Sequence, residues 1–206
     1  MPCYIEKNKT GIELAESIVR IVDRKIKREY WTNERIEKDF AKRSALKIFY
    51  DESTCFMNPC LDLTLASASI LFQEKIPYFF IIEEHKPTED FDFNRLHFAL
   101  EFKHNGEKYV LNYKRGNEVH VYLGNYEGRK DIPRESLITY PGTHIKPDYP
   151  IHKSLFYDSL EELAKEELSN YSFEKNINRL KKDNSLENFK RYKEKFGEEF
   201  NIITSP

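Results

Sequence analysis

Three residues in the middle of the chain have the types and the order of a thiol-based catalytic triad. Cys60 follows Asn58 and Pro59, a pair typical of a helix start, and His97 and Asn112 come later in the chain. Unpaired backbone N–H groups and the positive end of the helix dipole at a helix start favour thiolate over thiol. Because the thiolate is the nucleophile, this segment indicates chemistry.

Each of these residues has a definite role in such a mechanism. His97 would take the proton of Cys60 and later protonate the leaving group, while the side-chain oxygen of Asn112 would accept the other imidazole N–H and fix the tautomer. The backbone N–H of Cys60 is a ready oxyanion donor at the helix start. A second donor must come from elsewhere, and the candidates are Asn58, Ser53 and Thr54.

Apolar residues at helical spacing predict three helices in the first part of the chain. The first covers 12–30 and begins near Thr10-Gly11, and the second begins at Thr32 or Asn33 and runs to residue 49. Residues 51–57 are polar and irregular. The third helix covers 59–74, with Asn58 as its N-cap and Pro59 in its first position.

The period then changes to that of strands. Short apolar or alternating segments predict strands over 78–82, 96–103, 108–113 and 118–123, with a polar loop over 86–94. Residues 124–150 have no clear pattern, and 158–168 and 172–196 are predicted to be charged helices. Helices, a cysteine-bearing helix, an antiparallel sheet and further helices in that order predict an α+β fold.

A hairpin turn at Asn105-Gly106 would bring His97 and Asn112 together. If these two residues are the centre of the turn, His104 pairs with Glu107, and His97 and Asn112 are diagonal neighbours on one face. The opposite face is the predicted core, and it carries Phe98, Leu100, Phe102, Tyr109, Leu111 and Tyr113. A register slip of one residue would separate the histidine from the asparagine.

The composition is that of a globular protein able to bury a core. The chain has 206 residues, 39% hydrophobic and 33% charged, with a formal net charge of −2, so a nucleic-acid partner is not expected. No apolar run is long enough for a membrane span, and the start of the chain lacks the pattern of a signal peptide. Three cysteines at irregular spacing do not suggest a disulfide scaffold, and we expect a reducing, cytoplasmic location.

The order of these residues resembles the transglutaminase-like superfamily, a branch of the papain-like cysteine hydrolases. Cys60-Leu61-Asp62 is similar to the Cys-x-Asp of the family, and Lys75-Ile76-Pro77 stands where a Gly-Ile-Pro-like helix exit is usual. His97-Phe98-Ala99 is similar to the family's His-Ala-Trp strand opening, and Val110-Leu111-Asn112 to its apolar-Asp pattern. The likeness covers roughly residues 53–123.

The resemblance implies a papain-like core in which the cysteine helix packs on an antiparallel sheet. It implies a protease or amidase that cleaves an amide bond in a protein or peptide through a thioester, with Cys60, His97 and Asn112 as the triad and no cofactor. The chain departs from the family pattern at Lys75, at Tyr78-Phe79 and by the absence of Trp after His97. Asn112 replaces the common Asp, and a neutral Asn stabilises imidazolium less than a carboxylate would.

Several alternatives stay open. The same first half-reaction could transfer the acyl group to an amine, or the chain could be a catalytically inactive binding module. Cys55 is the rival nucleophile and His120 the fallback base, and Cys55 and Cys60 with His85 or His97 could bind zinc.

We expect one domain over 1–206, with a core at about 50–125 and N-terminal helices at 12–49. The C-terminal helical extension at 154–200 either packs on the core or presents a surface for a protein partner, and the first helices either pack on the core or cover the cleft.

Overall fold

The structure, a computed structural model, describes residues 9–89, 92–114, 116–126, 134–141 and 172–205 and has a mixed α+β fold. The described elements follow one another as α1 (Gly11–Lys25), β1 (Lys27–Glu29), α2 (Asn33–Asp39), α3 (Ala45–Asp51), β2 (Ser53–Cys55), α4 (Cys60–Gln73), β3 (Tyr78–His85), β4 (Arg95–His104), β5 (Glu107–Tyr113), β6 (Glu118–Leu123), β7 (Arg134–Pro141), α5 (Phe173–Asp183), α6 (Leu186–Phe196) and β8 (Asn201–Ser205).

A six-stranded sheet in the order β7-β3-β4-β5-β6-β8 is the centre of the molecule. Its neighbouring strands are antiparallel, except that β8 runs parallel to β6. Helix α4 lies on one face of the sheet and is buried all round from Cys60 to Leu71, as expected for a helix in the middle of a core. Helix α1 packs against both α4 and the sheet, so the cysteine-bearing helix is covered by α1 as well as by the sheet.

The predicted β4–β5 hairpin is confirmed, including its register. His104 pairs with Glu107 and Leu100 with Leu111. Asn105 and Gly106 both have positive φ, 51° and 84°, as a two-residue type I′ turn requires. The six residues predicted for the core face all belong to the main apolar cluster, whereas Ala99 belongs to a separate small cluster on the other face.

Two predictions about the first helices are wrong in their boundaries. Helix α1 ends at Lys25 rather than at residue 30, because Lys27–Glu29 is extended and pairs in parallel with Ser53–Cys55. That pairing also turns part of the predicted irregular segment into strand β2. The predicted second helix is two helices, interrupted at Ala41, which has a φ of 56°, and restarted at Ser44, whose hydroxyl accepts a hydrogen bond from the Lys47 N–H.

The C-terminal prediction needs a similar correction. The helix predicted over 172–196 is two helices, because the Ser185 hydroxyl caps a new helix start by accepting from the Asn188 N–H. Strands β7 and β8 were not predicted, and the helix predicted over 158–168 lies outside the described residues. No helix in the described ranges combines the length and the apolar character needed to cross a bilayer.

Candidate active site

Cys60 is the first residue of α4, and the start of that helix has no side-chain cap. The prediction that Asn58 caps the helix is wrong: Pro59 occupies the cap position with helical backbone angles, φ −80° and ψ −13°. Instead, the Asn58 Oδ1 accepts a hydrogen bond from the Cys60 thiol, with Sγ and Oδ1 3.1 Å apart. The uncapped helix start leaves its backbone N–H groups available to the thiol and to whatever binds beside it.

Burial disfavours the thiolate form of Cys60. The residue is only 7% exposed, and burial raises the pKa of the Cys60 thiol to about 11, although the backbone N–H groups of Phe98, Leu61 and Cys60 oppose the shift. The expectation that the helix start favours a thiolate is therefore wrong for the cysteine by itself. Desolvation of the sulfur outweighs the hydrogen bonds that would stabilise its charge.

His97 and Asn112 meet as the hairpin register predicts. The His97 Nε2 and the Asn112 Oδ1 are 2.6 Å apart, and Asn112 is fully buried while His97 is 8% exposed. Since the amide oxygen only accepts, the bond requires the proton on Nε2. The lone pair of the neutral ring is then on Nδ1, the nitrogen that a base would use.

One pocket contains both Cys60 and His97. It has a volume of about 180 Å³ and is also lined by Asn58, Pro59 and His85. Helix α5 forms another part of its wall and contributes Asn176, Arg179, Leu180 and Asp183. Among the described residues, α1, α2 and α3 contribute nothing to the lining, so the wall of the cleft is a C-terminal helix rather than an N-terminal one.

The oxyanion candidates separate into two groups. The Ser53 hydroxyl accepts a hydrogen bond from Arg35, and the Thr54 hydroxyl donates to Asp62 with an oxygen–oxygen distance of 2.8 Å. Neither residue lines the pocket. The backbone N–H of Cys60 lies beside the sulfur and is a donor available to an oxyanion formed there. Asn58 presents its acceptor oxygen to the thiol, so only its NH2 group is left to donate.

A buried ion-pair network anchors the start of α4. The Arg43 guanidinium binds Asp62 and lies 3.1 Å from the Asp51 Oδ2, and its charge lies over the Trp31 ring at 4.5 Å from the centroid. Asp62, two residues after Cys60, thereby ties α4 to the end of α3 and, through Thr54, to β2. This is the role that the Asp of the Cys-x-Asp sequence has here.

The rival residues lie elsewhere. Cys55 is 1% exposed in a separate apolar cluster with Trp31, Ile36 and Leu180, and burial raises the pKa of its thiol to about 11. His120 pairs with Glu118 at 3.3 Å and does not line the pocket. In the described ranges no three His, Cys, Asp or Glu side chains are grouped as metal ligands.

Sequence reasoning missed Glu83 and Tyr126 next to the predicted triad, and it considered His85 only as a possible zinc ligand. Strand β3 extends to His85 instead of ending at residue 82, and this places Glu83 and His85 on the His97 side of the sheet. The His85 and His97 rings stack with centroids 6.1 Å apart, and Tyr126, from a segment with no clear pattern, reaches Asn112. Residues 83–85 do not alternate apolar and polar side chains, so no local signal indicated that the strand continues through them.

No protein-family model matches the chain, and the search of curated proteins finds no significant match. Any assignment of function therefore rests on the arrangement of the described residues, without support from a relative.

Proposed function

We propose that the protein is a thiol-dependent hydrolase of the transglutaminase-like, papain-like type that cleaves an amide bond in a protein or peptide. The observation that carries the proposal is the hydrogen bond from His97 to Asn112 at 2.6 Å beside a pocket that also contains Cys60. A nucleophile at a helix start, a base and a group that orients the base are the three parts that acyl transfer through a thioester requires.

In the first half-reaction, the His97 Nδ1 takes the proton of Cys60 as the sulfur attacks the substrate carbonyl carbon. The negative charge moves to the carbonyl oxygen, where the Cys60 N–H and the NH2 group of Asn58 can donate to it. His97 then gives its proton to the departing nitrogen, and the carbon–nitrogen bond breaks. The products are a free amine and a thioester on Cys60.

In the second half-reaction, water attacks the thioester carbon while His97 takes one of its protons. The carbon–sulfur bond breaks, the sulfur recovers the proton from His97, and a carboxylic acid leaves. If an amine takes the place of water, the same steps produce a new amide and the enzyme is an acyltransferase. Both reactions follow from the same thioester, so the acceptor decides between them.

The raised pKa of Cys60 is consistent with this mechanism. A thiol with a pKa of about 11 carries almost no charge near neutral pH by itself. Proton transfer to a neighbouring imidazole converts two neutral groups into an ion pair, and a low-dielectric site tolerates an ion pair better than a lone thiolate. Reactivity near neutral pH therefore has to come from His97, and this dependence makes the proposal testable.

Acylation by p-nitrophenyl acetate tests the proposal without knowledge of the substrate. We expect a burst of nitrophenol, and an adduct on Cys60 in acid-quenched full-length protein that hydroxylamine removes. Turnover of a library of fluorogenic peptidyl amides would then identify the substrate class. An adduct absent from Cys60 under these conditions would contradict the proposal and favour a binding module.

A primary amine in the same assay distinguishes the two acceptors. With cadaverine present, a hydrolase still releases mainly the free acid, whereas an acyltransferase incorporates the amine into the product. Mass spectrometry of the products measures the ratio directly. We expect the free acid to dominate.

A further inference from the structure

A chain of hydrogen bonds continues from the candidate triad to a buried carboxylate. The Asn112 Nδ2 donates to the Tyr126 hydroxyl at 3.1 Å, and that hydroxyl donates to the Glu83 Oε2 at 3.1 Å. Glu83 and Asn112 are both fully buried, at 0% exposure. We propose that Glu83, acting through Tyr126, is the positioning group that fixes the Asn112 amide and thereby the tautomer of His97.

The direction of the bonds explains how this works. An ionised carboxylate only accepts, so the single proton of the Tyr126 hydroxyl is committed to Glu83. Tyr126 then has only lone pairs to offer to Asn112, and the Asn112 NH2 group must face it. The amide oxygen is therefore turned toward His97, where it demands a proton on Nε2.

The flipped amide shows what Glu83 excludes. If Asn112 were reversed, its oxygen would face Tyr126 and its NH2 group would face His97. Tyr126 has one proton and could not donate to both Asn112 and Glu83, so one buried contact would be lost. The reversed NH2 group would also require the lone pair of His97 on Nε2, which removes it from Nδ1. Without Glu83, the amide alone does not choose between these two states.

The same chain of hydrogen bonds compensates for the presence of Asn112 where Asp is common in the transglutaminase-like family. A neutral amide stabilises imidazolium poorly, but here a buried carboxyl group stands behind it through Tyr126. Hydrogen bonds in such a chain polarise one another, so an ionised Glu83 would make the Asn112 oxygen a stronger acceptor for His97. Burying a carboxyl group lowers the stability of the fold, and a role in positioning Asn112 would explain why Glu83 is buried next to the site.

His85 is the other titratable group of β3 at this point. Its Nε2 lies 3.4 Å from the same Oε2 of Glu83, and its ring stacks on His97. Arg95 and Lys114 line the pocket nearby. A proton on the His85 Nε2 would compete with Tyr126 for the carboxylate oxygen, so His85→Gln is included as a further variant.

The test removes each member of the chain and reads the tautomer of His97. In full-length Cys60→Ala protein with 15N-labelled histidine, where His97 has no thiol to take a proton from, NMR of the neutral ring at alkaline pH distinguishes a proton on Nε2 from one on Nδ1. We expect the Nε2-protonated form in this background and a mixture when Glu83→Gln or Tyr126→Phe is added. The inference rests on the proposed function. Under that function, Glu83→Gln and Tyr126→Phe should each lower the rate of Cys60 alkylation by iodoacetamide near neutral pH by about tenfold or more. This is the size of effect expected when a group that orients a functional histidine is lost.

Glu84→Gln is the matched control. Glu84 is the neighbouring residue on β3, is 1% exposed, and binds the Asn94 Nδ2 at 2.7 Å on the other face of the sheet. It loses the same charge from the same strand without touching the triad, and we expect it to leave the tautomer and the alkylation profile unchanged. Equal effects of Glu83→Gln and Glu84→Gln would show a general structural role and overturn the inference.

The double variant gives a second decision. If Glu83 acts through Tyr126, Glu83→Gln with Tyr126→Phe should be no worse than either single variant, since both break one chain. Additive losses would contradict the relay. Tyr126→Phe removes a single hydroxyl from a half-buried residue, so it keeps the test decisive if Glu83→Gln does not fold. Because NMR reads the tautomer even where Cys60 is unreactive, failure of the relay is distinguishable from failure of the proposed function.

Discussion

We expect Cys60→Ala to abolish thioester formation and turnover, and His97→Ala to lower turnover by about a thousandfold or more. Residues of a triad act as a unit, so removal of either the nucleophile or the base loses most of the rate enhancement. The measurement is the steady-state rate on the best substrate from the peptidyl amide library, with the fold checked by circular dichroism.

Cys55→Ala is the matched control for this prediction. Cys55 is also a buried free cysteine, and its thiol has a pKa raised to about 11 by burial, like that of Cys60. It lies in a different apolar cluster. We expect this variant to keep its turnover, and a loss equal to that of Cys60→Ala would contradict the assignment of the nucleophile.

The second large effect is on stability, and it comes from Arg43. This side chain is 2% exposed and bridges Asp51 and Asp62. Arg43→Met should lower the free energy of unfolding by about 3–5 kcal/mol, because removal of one partner leaves buried carboxylates without their counterion. Urea denaturation followed by tryptophan fluorescence measures the change, since Trp31 lies against the guanidinium.

Lys47→Met is the control, since Lys47 binds the same Asp51 from a position where its side chain is 50% exposed. An exposed ion pair contributes about 1 kcal/mol or less, so this variant should be nearly as stable as the unaltered protein. Similar losses for Arg43→Met and Lys47→Met would contradict the claim that the buried network, rather than charge in general, anchors α4.

The cost of Arg43→Met should also depend on pH. Burial raises the pKa of Asp62, and Arg43 opposes that shift. Without Arg43 the pKa rises further, and a group with a raised folded pKa contributes stability below its unfolded pKa that is lost as the pH rises. Burial acts to raise the pKa of Asp51, but Lys47 and Arg43 hold that pKa below its ordinary value. The stability that Asp51 contributes through its pair with Arg43 is therefore present only above the unfolded pKa of Asp51. Both terms make the loss larger at pH about 7 than at pH about 4.

The parts of the fold that local rules determine could be predicted from the sequence. Asn105-Gly106 specifies a two-residue turn, and the turn alone sets the register that brings His97 to Asn112. Thr10 and Thr32 were expected at helix starts, and both cap helices through their hydroxyls. Such contacts involve neighbours in the chain, which the sequence displays.

Contacts between distant segments could not be predicted in the same way. Lys27–Glu29 is helical by periodicity, but pairing with Ser53–Cys55 makes it a strand. Asn58 has the propensity of an N-cap, yet its amide oxygen accepts from the thiol of Cys60. The burial that controls the pKa of Cys60 comes from packing of α4 on the sheet, and no local pattern reports it.

The charged residues of the site show the same limit. Glu83 and His85 follow an apolar run and have the composition of a loop, but β3 continues through them because β4 and β7 pair along its whole length. The sequence left open whether the C-terminal helices pack on the core or form a partner surface. Leu180 packs in the cluster of Trp31, and Asn184 donates a hydrogen bond to the Trp31 carbonyl. These contacts join residues that are far apart in the chain, so no local pattern displays them. A partner on the remaining exposed surface of α5 and α6 stays a prediction.

The pH dependence of iodoacetamide alkylation, with Cys60 and Cys55 mapped separately by mass spectrometry, tests the central claim most directly. By burial alone both thiols have a pKa of about 11. If His97 forms an ion pair with Cys60, Cys60 should react quickly at pH about 6 while Cys55 does not, and His97→Ala should return Cys60 to a purely alkaline profile. If Cys60 follows the same alkaline profile as Cys55 in the unaltered protein, the thiolate–imidazolium pair does not exist and the catalytic account is contradicted.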